Sequence, residues 1–181
     1  MPSRPPVNLE GMESSEAEAL ILAGAGTVWD IITDAGNYPV WDSGVSEVSG
    51  VISAGGRIRV RTRDGGKRTF RLLVHQVPGR LVTWSGGLPL GLLKVVRTFT
   101  VSDHTGFTHL AVRETASGPL RSLVRKTLPG AEPALNGYVA AVKFRAELLS
   151  FHLEGAIFSG GTSTAAPDAT TKPMQRTGTT R

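Results

Sequence analysis

The chain of 181 residues contains no cysteine. Disulfides, thiolate-bound metals and cysteine nucleophiles are excluded at once. No run of about 18 apolar residues occurs, so no membrane-spanning helix is written into it. The opening stretch carries Arg4 and then Glu10, Glu13, Glu16 and Glu18 without an apolar segment, which does not read as a secretory leader. The cytoplasm is the default expectation. Only 4 histidines are present, none at His-x-x-x-His or Glu-x-x-His spacing, so no metal is expected. There is no Gly-x-Ser-x-Gly elbow, and the glycine pairs sit in hairpin turns rather than between a strand and a helix. A serine triad, a phosphate loop and a cofactor are therefore not expected.

What is present is enough apolar matter, 40%, to build a core, with a low charged fraction of 19%. The net charge of +5 hints at an anionic partner. However, Lys172, Arg176 and Arg181 stand against a lone Asp168 near the C-terminus, so the rest is only mildly basic. Residues 1–14 lack periodicity and read as a flexible arm. From Gly155 to Arg181 the chain is rich in Gly, Ser, Thr and Ala, and such a segment cannot bury enough surface to offset its ordering entropy. One domain over 15–154 and a disordered tail over 155–181 are expected.

Within the body, Ala17–Ala23 reads as a strand. Gly24–Asp34 has helical spacing through Val28, Ile31, Ile32 and Ala35, and Tyr38–Asp42 reads as a second short helical turn. Strands follow near 45–53, 56–63, 67–77, 80–87, 92–102 and 107–116, parted by short turns that suit antiparallel neighbours. A helix opening is written at Ser117-Gly118-Pro119 and a break at Leu128-Pro129-Gly130. A long helix then runs from about Glu132 to Leu153, where Leu135, Val139, Val142, Ala146 and Leu149 recur in one apolar stripe. Seven antiparallel strands must wrap that helix for both to bury their apolar faces.

Several segments carry a family likeness. Val28-Trp29-Asp30-Ile31-Ile32-Thr33-Asp34 with Asn37-Tyr38-Pro39-Val40-Trp41 resembles the opening of START-like (SRPBCC) proteins, in the branch of polyketide cyclase/dehydrase and lipid-transport proteins. Val77–Trp84, Arg97-Thr98-Phe99 and Glu114–Gly118 agree in order. The resemblance spans about 17–152. It implies an α+β helix-grip fold, a seven-stranded curved sheet around a long C-terminal helix with a cavity between. It also implies a small hydrophobic molecule, lipid or polyketide-like, as ligand. Trp41, Phe70, Trp84, Phe99, Leu110, Val112, Tyr138 and Val142 are the expected walls, and Trp29 is as fit for packing as for lining.

The residues themselves suggest the polar part. With the last hairpin centred between Ser102 and Phe107, Phe99 falls opposite Leu110, Arg97 opposite Val112 and Val95 opposite Glu114. Arg97 and Glu114 are then diagonal neighbours on an apolar face. Buried charges need each other or a polar ligand, so the two are either a structural ion pair or ligand anchors. An aromatase/cyclase-like enzyme would use Glu114 to move protons and Arg97 to steady an enolate. Pairing Ile58 and Val60 with Leu72 and Phe70 puts Val74 and Gln76 inside and Trp84 outside. Trp84 suits solvent poorly, so a bulge near Pro78-Gly79 is expected to reverse the parity. His75 and His109 fall on the outside.

Two surface features complete the reading. Arg57, Arg59, Arg61 and Arg63 share a strand face with Lys67, Arg68 and Arg71 beside them. That face is either simply solvated or meets an acidic partner or lipid headgroups, as in a stress or co-chaperone-like module. No aromatic residues interleave with it, so nucleic acid is not expected. Leu88, Pro89 and Leu90 lie in a glycine-flanked loop that suits a flap at a cavity mouth, a membrane-touching patch or a cap on the core. The oligomeric state is left open.

Overall fold

A computed structural model of the chain describes residues 12–63, 69–122 and 131–159, with side chains of the last segment described from Glu132 to His152. Seven strands form one antiparallel sheet. They are β1 (Glu13–Ile21), β2 (Val45–Ser49), β3 (Arg57–Thr62), β4 (Thr69–Val77), β5 (Leu81–Leu88), β6 (Leu93–His104) and β7 (Phe107–Ser117). Their spatial order is β1-β7-β6-β5-β4-β3-β2, so β1 and β2 are the edges. Helix α1 (Ala25–Thr33) and a 3-10 helix (Ala35–Val40) connect β1 to β2, and helix α2 (Ala131–Ser159) crosses the concave face. This is the helix-grip fold.

Strand alternation decides the layers. The outward Arg57, Arg59 and Arg61 of β3 are solvated or partly so, whereas Ile58 and Val60 join the core. On α2 the stripe Leu135, Val139, Val142 and Ala146 is buried against that core, while Leu149 stays partly exposed. Lys143 Nζ donates to the Leu20 carbonyl at 2.6 Å and to Glu147 Oε1 at 2.8 Å; the Leu22 N–H donates to the same oxygen at 2.9 Å. Burial pushes the Glu147 carboxyl up, but the hydrogen bonds from Lys143 and Leu22 outweigh it and hold its pKa below the usual value. This cluster ties α2 to the end of β1.

Four expectations are corrected. The first strand begins at Glu13 and ends at Ile21, rather than spanning Ala17–Ala23. Glu16, outside the expected strand, is part of it: Glu16 pairs with Arg113 at 2.6 Å, as Glu18 does with His109 at 3.2 Å, across the ladder to β7. The short helical turn is the 3-10 segment Ala35–Val40, started by the Asp34 side chain accepting from the Gly36 N–H at 3.0 Å. In the β6–β7 hairpin, pairing continues to His104 opposite Phe107, leaving a two-residue turn. Arg97 thus lies directly opposite Glu114, Phe99 opposite Val112 and Val95 opposite Ala116. In the β4–β5 hairpin, a three-residue loop with Gly79 at φ 71° sets Trp84 opposite Val74, so Trp84 faces inward in simple register.

The expected flexible arm lies outside the described residues except for its last residues, Met12 to Ser14, of which Glu13 and Ser14 belong to β1. The tail expected from Gly155 lies outside them beyond Ser159, up to which α2 extends. The helix expected from Ser117-Gly118-Pro119 falls largely outside them too, as does its break at Leu128-Pro129-Gly130. No described helix is long and apolar enough to cross a membrane.

Candidate functional site

The concave face divides into two halves along β5, β6 and β7. In one half Val82, Phe99 and Val112 stand side by side, with Val101 beside Leu110 in a neighbouring row. All five are buried, and Val142 of α2 belongs to the same cluster. Leu110, Val112 and Val142 therefore fill a sealed core rather than line open space. In the other half, Leu72, Gly86, Val95, Leu93, Leu88 and Phe70 face the same side but are increasingly accessible. Phe70 is 38% exposed and Leu88 48%. Gly86 has no side chain for a reason: a Cβ there would lie 2.7 Å from Leu72 Cδ2 and 2.9 Å from the Arg71 carbonyl.

Between the halves runs a polar row, Val74–Trp84–Arg97–Glu114, in direct cross-strand register. Arg97 donates from Nε at 2.8 Å and from Nη2 at 2.6 Å, both to Glu114 Oε2. That leaves Nη1 of the guanidinium and Oε1 of the carboxylate outside the pair. The two side chains are 29% and 23% exposed, so they stand at the boundary rather than in the sealed core.

Behind this row five aromatic rings form a cage. Trp84 packs on Phe99 at 4.8 Å between centroids, Phe99 on Tyr138 at 5.6 Å, Trp41 on Tyr138 at 5.5 Å and Tyr38 on Trp41 at 5.3 Å. Tyr38 reaches the cage because the 3-10 helix carries it inward, and its hydroxyl donates to the Ile32 carbonyl at 2.8 Å. That uses its only proton, so in the 2.9 Å contact between the two hydroxyls Tyr138 is the donor. Burial raises the pKa of both tyrosines well above 10.0, while the positive charge of Arg97 pulls the other way on each. Both hydroxyls are neutral donors at physiological pH. The indole N–H groups of Trp41 and Trp84 are buried without a hydrogen-bond partner among the described residues. A buried donor left unmade costs about 1–3 kcal/mol. The tyrosine protons are thus spent within the cage, and the two indole N–H groups are its spare donors among apolar rings.

The structure thus brings Trp41, Trp84, Phe99, Tyr138, Arg97 and Glu114 together, keeps Phe70 at the open rim, and assigns the remaining expected wall residues to the core. Tyr38, Leu72, Gly86 and Val95 belong to the site and were not singled out from the sequence. Only Tyr38 left a signal, in the Asn37-Tyr38-Pro39 interruption. Leu88 is half-exposed and Leu90 is 96% exposed, so this loop does not cap the core. Among the described residues no group of histidines and carboxylates could hold a metal. On the outer face, Arg59 lies opposite Arg71, and with Arg57, Leu73 and Ser85 they line a shallow groove of about 580 Å³. Glu47 neutralises Arg61 at 3.2 Å and Asp42 lies 3.7 Å from Arg63; Lys67 and Arg68 lie outside the described residues.

A curved antiparallel sheet gripping one long helix defines the helix-grip class of fold. The chain belongs to the family described as polyketide cyclase / dehydrase and lipid transport, whose model matches residues 12–148. No curated protein matches the sequence. Among solved structures, the Zhui aromatase/cyclase from Streptomyces sp. R1128 shares 16% identity at TM-score 0.62, over 75% of this chain and 94% of that one. Norcoclaurine synthase from Thalictrum flavum, solved with a transition-state analogue, shares 13% identity at TM-score 0.58, over 79% of this chain and 96% of its own. The di-domain aromatase/cyclase StfQ of the steffimycin biosynthetic pathway shares 16% at TM-score 0.61, over 78% of this chain. The chain spans about half of StfQ, 53%. These likenesses establish the fold.

Proposed function

We propose that the chain binds a flat hydrophobic molecule carrying carbonyl or phenolic oxygens, of the polyketide class, on the open half of its concave face. The observation that carries this reading is the indole N–H of Trp84, without a hydrogen-bond partner among the described residues, in the row that borders the open half and directly beside Arg97. The family membership and the aromatase/cyclase neighbours support it. Leu72, Val95, Phe70 and Leu88 supply the apolar wall, and Arg97 Nη1 an additional donor for a ligand oxygen.

A second reading, cyclisation of the bound molecule, is favoured by one detail. Glu114 keeps Oε1 outside its pair with Arg97, beside a cationic group able to stabilise an enolate oxygen. In that reading Glu114 takes a proton from a carbon acid while Arg97 holds the developing oxyanion.

The test is a binding titration with 2-naphthol and with naphthalene, read by tryptophan fluorescence. Trp84→Phe keeps the ring and removes the N–H. It should weaken 2-naphthol by about three- to tenfold, as expected for a lost hydrogen bond, and leave naphthalene unchanged. Equal effects on both compounds would reject the donor role. Incubation with a reactive poly-β-ketone, followed by mass spectrometry, separates the two readings: loss of water that disappears in Glu114→Gln supports catalysis.

A further inference from the structure

Helix α2 carries two apolar seams. The inner seam is Leu135, Val139, Val142, Ala146 and Leu149, buried except at Leu149. Shifted by two residues, Gly137, Ala141, Phe144, Leu148 and Phe151 repeat the same four-three-four-three spacing on the side away from the sheet. Within this second seam only Ala141 is partly buried; Phe144 is 71% exposed and Phe151 80%. No charged residue interrupts it. The hydrogen bonds from Lys143 and to Glu147 hold another edge of the helix against the end of β1 and leave this seam free of them. A heptad seam of this kind is the geometry by which one helix packs into another. The exposed side chains of Phe144, Leu148 and Phe151 amount to roughly 400 Å² of apolar surface, since a Phe presents about 200 Å² when bare. A stable interface buries about 800 Å² per partner, so these three side chains supply about half of it and form its apolar centre.

We infer that this seam is the interface of a homodimer in which α2 packs antiparallel against α2 of a second copy, about a twofold axis near Phe144. The taper of the seam selects that partner. Its N-terminal half is small (Gly137, Ala140, Ala141) and its C-terminal half large (Phe144, Leu148, Phe151). In a parallel pair large would meet large at one end, and the helices would splay. In the antiparallel pair Phe151 meets Gly137 of the copy, Leu148 meets the Ala140-Ala141 step, and Phe144 meets its own copy. The outer layers then each match a large side chain with a small one and are made twice, as a twofold interface requires, while the two Phe144 rings meet once, on the axis itself. Gly137 fits its place, because no atom lies within 4 Å of a Cβ built there in the single chain.

The test is sedimentation of the full chain over about a hundredfold range of concentration, a span that moves a reversible dimer through its midpoint. The expected result is a monomer–dimer equilibrium. Phe144→Ser with Phe151→Ser should leave a monomer at every concentration with unchanged near-ultraviolet circular dichroism. If that variant fails to fold, Gly137→Leu serves instead: it improves helix propensity, leaves the single chain intact and fills the space that Phe151 of the copy needs. Because the chain has no cysteine, single cysteines report the orientation. Phe144→Cys should cross-link to its own copy on oxidation, and Gly137→Cys should do so only when combined with Phe151→Cys. A monomer at all concentrations, a dimer unaffected by Phe144→Ser with Phe151→Ser and by Gly137→Leu, or efficient cross-linking of Gly137→Cys alone would each overturn the inference.

Discussion

The two halves of the concave face share strands β5 and β6 in the same alternation, the sealed half extending onto β7 and the open half onto β4, yet they do different work. In the sealed half, Val82, Phe99, Val112 and Leu110 leave no accessible surface. In the open half, Phe70, Leu72, Val95 and Leu88 point the same way and stay accessible. The row Trp84–Arg97–Glu114 separates them. On β5 and β6, stability and recognition are thereby assigned to residues of one strand face that lie four positions apart, with the boundary row between them. Substitutions on either side should report on one property and spare the other.

The largest contrast is expected between two phenylalanines. Phe99→Ala removes a fully buried ring that touches Trp84 and Tyr138, and should cost about 3–5 kcal/mol in chemical denaturation. Phe70→Ala, at the rim, should cost less than about 1 kcal/mol while weakening ligand binding. Equal losses of stability would erase the division into halves.

The boundary row should respond in between. Glu114→Ala strands the Arg97 guanidinium at a half-buried position and should cost about 1–2 kcal/mol of stability. It should also weaken binding of 2-naphthol by at least about tenfold, or 1.4 kcal/mol, through misplacement of the Arg97 donor. A variant that loses stability but binds normally would reduce the pair to a structural link between β6 and β7.

How much of this was legible in the chain depends on which property of a strand is asked for. Which side of the sheet Arg97, Phe99, Leu110, Val112 and Glu114 face follows from alternation alone. Register does not, because it depends on how many residues the turn consumes. Nothing in Asp103-His104-Thr105-Gly106 announces that pairing runs on to His104 and Phe107, whose rings stack at 4.9 Å. Trp84 faces inward through a three-residue loop, where the sequence suggested a bulge. The start of β1 is hidden because Glu13, Ser14, Ser15 and Glu16 resemble a loop until Arg113 is placed opposite Glu16. The depth of Tyr38 depends on the 3-10 helix following α1, which no periodicity marks. The outer seam of α2 was present in the residues, but the inner seam has the same spacing and accounts for the apolar content by itself.

The tyrosine pair sharpens the sealed side further. The chain has 2 tyrosines, and both are in the cage. Burial raises their pKa values above the 10.0 of an unfolded chain. A group whose folded pKa is raised contributes stability that is complete below the unfolded pKa and is lost as pH climbs beyond it. The folded protein should therefore develop no tyrosinate absorbance near pH 10.0, and the signal should appear together with loss of helical circular dichroism. Tyr138→Phe, which leaves the Tyr38 bond to Ile32 intact, should cost about 1 kcal/mol. A smooth titration near pH 10.0 with the fold intact would mean that the cage admits water.

The smallest effect on stability belongs to the loop beyond the open half. Leu90 is 96% exposed and sits at φ 59°, a left-handed conformation that a side chain adopts at a cost of about 1–2 kcal/mol. Leu88 is half-exposed beside it. Neither leucine contributes much to the core, so Leu88→Ser with Leu90→Ser should change stability by no more than about 0.5 kcal/mol. If these leucines cover the ligand once it is bound, the same change should speed both association and dissociation of 2-naphthol in stopped-flow fluorescence. A large fall in melting temperature would instead show the loop folded onto the core. Unchanged rates with unchanged stability would place ligand entry elsewhere on the open half, along Phe70 and Leu72.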